Sequence, residues 1–158
     1  MPLKIFLHGL ESSNQGTKSI FFRKEFPDMI IPNFTGDLEQ RMAKLNIILS
    51  EESGIMLTGS SFGGLMATIY AMENEPRVKK LILLAPAVNM LEIFGYKKIE
   101  ISVPVSIYMG RRDEVLPIQA VEIAAKRVFL NISFNVVDDD HFLHKTFSSI
   151  DWHSLLGE

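Results

Sequence analysis

The turn at residues 59–64 places the strongest constraint on how this chain folds. The letters GSSFGG stand here directly behind a short apolar run at 55–58, and a helix-like apolar run follows at 65–72. Side chains would crowd a sharp strand-to-helix turn, and only glycine enters positive-φ conformations at little cost. The sequence therefore predicts a strand, a tight turn and a helix in immediate succession.

One serine of this turn fits the pattern G-x-S-x-G, in which a hydroxyl is held clear of a sheet. Ser61 stands between Gly59 and Gly63, whereas the residues that flank Ser60 at the same spacing are not glycine. The letters alone also suit a turn that only packs or that holds a phosphate, so the interpretation depends on the flanking strand and helix. Ser61 is the candidate nucleophile.

Composition bounds the class of protein. The chain has 158 residues, 47% of them hydrophobic and 22% charged, which suits one globular domain over residues 1–158. Its formal net charge of −3 and its short, scattered basic pairs argue against a nucleic-acid partner. The absence of cysteine excludes disulfides, thiolate catalysis and cysteine-based zinc sites.

The N-terminal residues predict a first strand and not a signal peptide. Residues 1–9 lack a charged lead, a long apolar stretch and a small-residue cleavage site. No apolar run in the chain reaches the length that crosses a membrane. We therefore expect a soluble, cytoplasmic protein.

Short apolar runs alternate with longer helical patterns along the chain, and the apolar runs suit buried parallel strands. Strands are predicted at residues 3–8, 29–32, 55–60, 81–85, 105–110 and 133–137. Helices are predicted at residues 17–25, 38–51, 62–74, 118–128 and 145–156. Asp37 with Gln40 predicts a capping box at the second helix. This alternation predicts a three-layer α/β sandwich with a mainly parallel sheet of about six strands, whose ligands bind at the carboxyl ends of the strands.

A serine hydroxyl needs a base to take its proton, and the base needs a partner that fixes its tautomer. The candidate base is His141, which follows the last predicted strand, and His144 is the alternative one helical turn further on. His8 ends the first predicted strand, where it would structure a loop, and His153 would lie on the surface of the last helix.

The candidate acid is Asp113, which follows the fifth predicted strand and precedes a helix. The same position also suits a solvated turn or a helix start, and Glu114 is an alternative acid. The acidic run at 138–140 is nearer to His141 in sequence, but adjacent residues seldom converge on one ring. We expect that run to form a hydrated loop that favours the imidazolium form. Its spacing fits no calcium loop or zinc site, so no metal is expected.

Attack on a carbonyl group develops negative charge on its oxygen, which N–H donors can stabilise. One candidate donor is the backbone N–H of Phe62, directly after the candidate nucleophile at a helix N-terminus. The second is the backbone N–H of Leu10, in the loop after the first strand, where Gly9 permits a close approach. A plain strand-ending turn is the alternative interpretation of that loop.

Five motifs together resemble the α/β-hydrolase superfamily and, within it, the small lidless bacterial esterases of the YqiA-like group. They are FLHGLESS at 6–13, GSSFGG at 59–64, LLAPA at 83–87, GRRDEVLP at 110–117 and DHF at 140–142. The chain order Ser61, Asp113, His141 is the order expected of the triads of that superfamily. The resemblance implies this triad, an oxyanion hole from the Leu10 and Phe62 amides, and hydrolysis of carboxylic esters or thioesters without a cofactor.

The chain departs from larger members of the superfamily in two ways. It begins at what would be their third strand, and residues 87–105 leave room for a short excursion only, so we expect a minimal fold without a cap domain. Loops would then select the substrate. His8 is one candidate for the substrate pocket. Apolar candidates, which packing would explain equally well, are Met90, Leu91, Phe94 and Tyr96.

We expect a serine hydrolase that cleaves small carboxylic esters or thioesters through an acyl-enzyme on Ser61. Its partner would be a small acyl substrate, with no cofactor and no nucleic acid. Two alternatives stay open. One is a serine peptidase or amidase, whose motifs would be the same. The other is a hydrolase-like domain that binds a ligand without turnover.

Overall fold

The structure, a computed structural model, describes residues 2–97 and 99–157. These residues form one parallel sheet whose five strands lie side by side in chain order: β1 (Leu3–Leu7), β2 (Ile55–Ser60), β3 (Val78–Leu84), β4 (Val105–Gly110) and β5 (Ile132–Val137). They also form the helices α1 (Thr17–Glu25), α2 (Leu38–Ile48), α3 (Phe62–Glu73), α4 (Ile118–Val128) and α5 (Trp152–Leu155). The predicted α/β class with a parallel sheet is confirmed.

The segment 29–32, which we predicted to be a strand, makes a single bridge to the sheet. The Phe6 N–H donates to the Ile30 carbonyl at 3.0 Å, and the Ile30 N–H donates to the Lys4 carbonyl at 2.9 Å. The next bond of a parallel ladder would come from the N–H of residue 32, and Pro32 has none. Pairing stops there, so the sheet of the described residues has five strands and not about six.

The prediction of one last helix over residues 145–156 is also wrong, because two short elements stand there. A 3₁₀ turn at Phe147–Ser149 is separated from α5 by Ile150, whose ψ of 137° is extended. Asp151 then caps the short helix by accepting a hydrogen bond from the Ser154 N–H. By contrast, the predicted capping box of α2 is confirmed, with both of its hydrogen bonds formed.

Each face of the sheet buries its own apolar core, because successive side chains of a strand point to opposite faces. Ile5 and Leu7 of β1 belong to the core under α2, α3 and α4. Phe6 of the same strand belongs to the core under α1 and the C-terminal segment. The burial of both faces explains why the strands read as continuous apolar runs, and it gives the predicted three layers.

The connection from β3 to β4, residues 85–104, contains a 3₁₀ turn at Val88–Met90 and a single bridge from Ile101 to Phe129, but no α-helix or strand among its described residues. The described residues of this connection form no cap domain, in line with the minimal fold that the sequence predicted. Residues at the ends of β1 and β2, and in the loops after β4 and β5, border a cleft at the carboxyl edge of the sheet. Among residues 2–97 and 99–157, no helix is long and apolar enough to cross a membrane.

Candidate active site

The turn after β2 holds Ser61 in a conformation that side chains rarely adopt, with φ 56° and ψ −113°. Its N–H donates to the Leu84 carbonyl at 2.9 Å, and its carbonyl accepts from the Ala87 N–H at 3.0 Å. The strained conformation is thus fixed from both sides of the peptide by the neighbouring strand and its loop. The hydroxyl projects from this turn above the carboxyl edge of the sheet.

Two positions of the turn must be glycine because other backbone atoms lie where a side chain would begin. A Cβ atom at Gly63 would lie 2.0 Å from the Leu7 carbonyl oxygen, and one at Gly59 would lie 2.4 Å from the Gly63 carbonyl oxygen. Real Cβ atoms do not approach backbone so closely. The G-x-S-x-G pattern is therefore a steric requirement of packing α3 against β1 and β2.

His141 contacts both of the other candidate triad residues. Its Nε2 lies 3.1 Å from the Ser61 hydroxyl oxygen, and its Nδ1 lies 2.7 Å from Oδ2 of Asp113. A carboxylate beside Nδ1 keeps the proton on that nitrogen, which leaves the Nε2 lone pair free to accept from the hydroxyl. The arrangement can therefore move a proton off the hydroxyl of Ser61.

The carboxylate of Asp113 is fully buried and has partners on both oxygens. Oδ1 accepts from the Val115 and Leu116 backbone N–H groups, each at 2.8 Å, while Oδ2 faces His141. The alternative acid, Glu114, is exposed, and the carboxylate in contact with the ring is that of Asp113. The two N–H donors hold Asp113 in the orientation that its contact with the imidazole needs.

The alternative base, His144, lies apart from the nucleophile. Its Nδ1 lies 2.6 Å from Oδ2 of Asp140, and its side chain is 72% exposed. It borders the same cleft as Ser61, but the histidine in contact with the hydroxyl is His141.

The acidic run 138–140 does not form the hydrated loop that we expected. Asp138 does lie at the surface, 2.7 Å from Arg112, but Asp139 is buried. The Asp139 carboxylate accepts backbone N–H groups at 2.7–2.9 Å from Asp140, Lys145 and Thr146. It thereby shapes the loop that carries the candidate base. No pattern in the sequence distinguished this aspartate from its two neighbours.

The backbone N–H groups of Leu10 and Phe62, the two predicted donors, have no acceptor among the described residues. The loop after β1 comes close to the turn, since a Cβ atom at Gly9 would lie 3.4 Å from Cβ of Ser61 and 4.0 Å from the N atom of Phe62. Unpaired N–H groups beside a nucleophile suit an oxyanion. The geometry is compatible with the predicted pair of donors.

His8 is buried and hydrogen-bonded at both ring nitrogens. Nε2 accepts from the Phe34 N–H at 2.8 Å, so Nδ1 carries the proton and donates to the Gly9 carbonyl at 2.7 Å. Burial lowers the pKa of His8, and the nearby Arg41 and Lys44 charges act in the same direction. The ring borders the cleft, yet it has no free nitrogen to offer a substrate. Its position fits the structuring of the loop after β1.

Ser61 and His141 open onto a cleft of about 510 Å³. Its walls come from the loop after β1, the start of α1 and the loops after β4 and β5: Phe6, His8, Gly9, Leu10, Glu11, Ser12, Gly16, Thr17, Lys18, Ser60, Ser61, Val115, His141, Phe142, Leu143, His144 and Phe147. Lys18 is a residue that the sequence reasoning missed. The available signal was its place, since the first turn of α1 follows the loop that carries the candidate donor Leu10.

The apolar pocket candidates of the β3–β4 connection do not line this cleft. Leu91 is buried and borders a separate cavity between the connection and α4. Met90 and Tyr96 pack against the core, and Phe94 lies with its ring centroid 6.1 Å from that of Phe62. None of these four residues is among those that border the cleft, and the contacts that they make are packing contacts.

Solved structures share this fold. Alpha/beta hydrolase domain-containing protein 10 from mouse matches with a TM-score of 0.77 and 19% identity, over 90% of this chain and 82% of that chain. A hydrolase of the alpha/beta superfamily from Xanthomonas campestris pv. campestris matches with a TM-score of 0.75 and 24% identity, over 94% of this chain and 91% of that chain. Est1E from Butyrivibrio proteoclasticus with bound ferulic acid matches with a TM-score of 0.72 and 17% identity, over 89% of this chain and 81% of that chain.

A comparison of the sequence with curated proteins finds no significant match. The family model described as "Dienelactone hydrolase family" matches residues 15–136, well over half of the chain. This match and the shared fold confirm the predicted superfamily and the predicted class of enzyme, a carboxylic ester hydrolase. The narrower YqiA-like group stays a prediction. The chain belongs to the dienelactone hydrolase family.

Proposed function

We propose that the protein is a serine hydrolase that cleaves small carboxylic esters or thioesters through an acyl-enzyme on Ser61. The observation that carries this proposal is the double contact of His141, at 3.1 Å from the Ser61 hydroxyl and 2.7 Å from the Asp113 carboxylate. Membership of a family of ester hydrolases supports the proposal independently.

In the acylation step, the Ser61 hydroxyl proton passes to Nε2 of His141 as Oγ attacks the acyl carbonyl carbon. The carbonyl oxygen becomes an oxyanion that accepts from the Leu10 and Phe62 N–H groups. Asp113 stabilises the imidazolium that forms and holds its orientation. Collapse of the tetrahedral intermediate breaks the bond to the leaving group, which takes the proton from Nε2.

In the deacylation step, Nε2 of His141 takes a proton from a water molecule as that water attacks the acyl carbon. The second tetrahedral intermediate collapses, Ser61 recovers its proton from Nε2, and the carboxylic acid leaves. The net reaction consumes one water and releases one acid and one alcohol or thiol. Every group that moves a proton in this scheme belongs to the chain.

The cleft suits a small substrate with an apolar body. Three of its wall residues are phenylalanines, at Phe6, Phe142 and Phe147. Est1E binds ferulic acid, which is an aromatic acid. An ester panel for this protein should therefore include aromatic acyl groups beside straight chains of graded length.

Covalent labelling with a fluorophosphonate tests the proposed nucleophile. We expect labelling at Ser61, found by mass spectrometry, and loss of both labelling and ester hydrolysis in Ser61→Ala, by about a thousandfold or more. Ser60→Ala is the matched control and should keep both, because its neighbour supplies the nucleophile. Full esterase activity in Ser61→Ala would refute the mechanism.

The same protein should be assayed against p-nitrophenyl esters, acyl-CoA thioesters and aminoacyl p-nitroanilides. Faster turnover of the anilides would make the protein a peptidase or amidase with the same triad. Inertness toward all three panels and toward the fluorophosphonate, with a folded protein, would leave a binding domain without turnover.

A further inference from the structure

Lys18 is a basic side chain in the wall of the cleft that the proposed mechanism does not use. It lies in the first turn of α1 and borders the same cleft as Ser61 and His141. Its Nζ donates to the Phe142 carbonyl at 2.8 Å and lies 5.4 Å from the centroid of the Phe147 ring. A contact between two parts of the chain 124 positions apart thus holds an ammonium group at the wall of the cleft that Ser61 also borders.

The hydrogen-bonding capacity of this ammonium is only partly used. A lysine ammonium has three N–H donors, and the Phe142 carbonyl takes one of them. No carboxylate of the described residues forms an ion pair with Lys18. Two N–H donors of this wall residue thus have no acceptor among the described residues.

Burial makes this charge sensitive to what lies next to it. Desolvation lowers the pKa of Lys18, while the charges of Asp140 and Asp139 raise it. Neither aspartate borders the cleft, and the sole acidic residue among the described wall residues is the exposed Glu11. A partly desolvated ammonium with free donors is complementary to a carboxylate, and charge-assisted hydrogen bonds of this kind are among the stronger ones in proteins.

We propose that Lys18 binds an anionic group of the substrate, so that the protein prefers esters carrying a carboxylate over neutral esters of the same shape. This inference rests on the proposed function, because it concerns the substrate of the same cleft. The ammonium would donate one or two hydrogen bonds to the carboxylate while keeping its bond to the Phe142 carbonyl. Lys18 would act in binding and orientation, and the proton transfers would stay with His141.

Two matched substrate pairs test this preference. One pair puts the charge on the acyl half: the mono-p-nitrophenyl ester of adipic acid against p-nitrophenyl hexanoate. The other puts the charge on the leaving group: 3-acetoxybenzoate against its methyl ester. For each pair the measured quantity is the ratio of kcat/KM for the anionic ester to kcat/KM for the neutral ester, in wild type and in variants.

The variants separate charge from packing. Lys18→Met removes the charge and keeps the length of the side chain, and Lys18→Arg restores a positive charge. Lys44→Met is the matched control, because Lys44 also donates to a backbone carbonyl, that of Asn33, and also lies over a phenylalanine ring at 5.7 Å, but outside the cleft.

We expect Lys18→Met to lower the anionic-to-neutral ratio by about tenfold or more for at least one pair, mainly through KM, and Lys18→Arg to recover part of it. Lys44→Met should leave both ratios unchanged. Equal losses for the anionic and neutral esters in Lys18→Met would overturn the proposal, since they would mean that Lys18 only holds the loop that carries His141.

A binding measurement keeps this test separate from the catalytic proposal. Adipate should raise the melting temperature of wild type and of Lys44→Met, and should not raise that of Lys18→Met. If neutral esters and the fluorophosphonate do not react while adipate still stabilises in a Lys18-dependent way, the catalytic proposal fails and the anion site stands. If neutral esters are hydrolysed and neither ratio nor melting temperature depends on Lys18, the anion site fails alone.

Discussion

Nε2 of His141 lies 3.1 Å from the hydroxyl oxygen of Ser61, although 80 positions of sequence separate the two residues. The loop after β5 and the turn after β2 reach this contact because both leave the sheet at its carboxyl edge. Parallel strands put all such ends on one side, where side chains from distant parts of the chain can converge.

The two candidate bases should behave very differently on substitution. His141→Ala removes the acceptor for the Ser61 proton, and we expect kcat for a p-nitrophenyl ester to fall by about a thousandfold or more. His144→Ala removes an exposed side chain that pairs with Asp140, so its kcat should stay within about threefold of wild type. Steady-state kinetics on both variants decide between them, and a larger loss in His144→Ala would contradict the assignment.

Asp113→Asn tests whether the carboxylate of Asp113 is needed to fix the tautomer of His141, or whether any polar side chain of that size is sufficient. Asparagine can still accept from the Val115 and Leu116 N–H groups through one oxygen, but an amide NH₂ next to Nδ1 favours the wrong tautomer of His141. We expect kcat to fall by about three to four orders of magnitude with little change in KM. Glu114→Gln is the control and should be close to wild type. A fall in kcat of less than tenfold in Asp113→Asn would show that Asp113 is not the acid of the triad.

Asp139 should make the stability of the fold depend on pH. Burial raises its pKa, but hydrogen bonds from the Asp140, Thr146 and Lys145 amides outweigh burial and lower the pKa from 3.8 to about 2. A carboxyl group whose pKa is lower in the folded state stabilises that state above the unfolded pKa, and loses this contribution as the pH falls from about 4 to about 2.

Asp139→Asn should therefore lower the free energy of unfolding by about 1–3 kcal/mol at pH 7. Its difference from wild type in urea denaturation should shrink when the pH is lowered toward the folded pKa of about 2. Asp138→Asn serves as the control, since that carboxylate is 65% exposed and its loss should change stability by less than about 0.5 kcal/mol. If the difference in free energy of unfolding between wild type and Asp139→Asn stayed constant over the whole pH range, the lowered pKa of Asp139 would not contribute to stability.

Gly63→Ala should destabilise the fold through backbone overlap. The added Cβ would lie 2.0 Å from the Leu7 carbonyl oxygen, so β1 and α3 would have to separate. We expect a loss of about 1–3 kcal/mol or more in thermal or urea unfolding. Gly9→Ala is the comparison for stability alone, because its Cβ would meet its nearest neighbours at 3.4 Å. Equal stability of the two variants would show that the turn can adjust.

The sequence was sufficient for the features that local chemistry controls. Ser61 could be singled out because a sharp turn needs glycine on both sides, and the capping box at Asp37 follows from two residues three positions apart. Strand 29–32 failed because pairing depends on which N–H groups face the sheet, and Pro32 lacks the one that the ladder needed.

The residues that line the cleft could not be predicted from the sequence. Met90, Leu91 and Phe94 have the apolar character of pocket residues, and only the path of the β3–β4 connection shows that they pack elsewhere. Lys18 and Asp139 show the reverse error. Charged residues are by default expected at the surface, and nothing in the sequence was a reason to place these two elsewhere. Asp139 is buried because the backbone N–H groups of its own loop satisfy its carboxylate, and Lys18 is partly buried against the carbonyl of Phe142, 124 positions away.

By itself the sequence determined the class of fold, the glycine-flanked turn that carries Ser61 and the residue types of the candidate triad, because periodicity and turn chemistry act over a few neighbouring residues. The tertiary structure decided which histidine contacts Ser61, that Asp139 is buried in the loop that carries this histidine, and that an ammonium borders the cleft. The first and last of these features depend on contacts between segments 80 and 124 positions apart, and the second depends on how one loop folds over the sheet; only packing of the whole chain sets such distances.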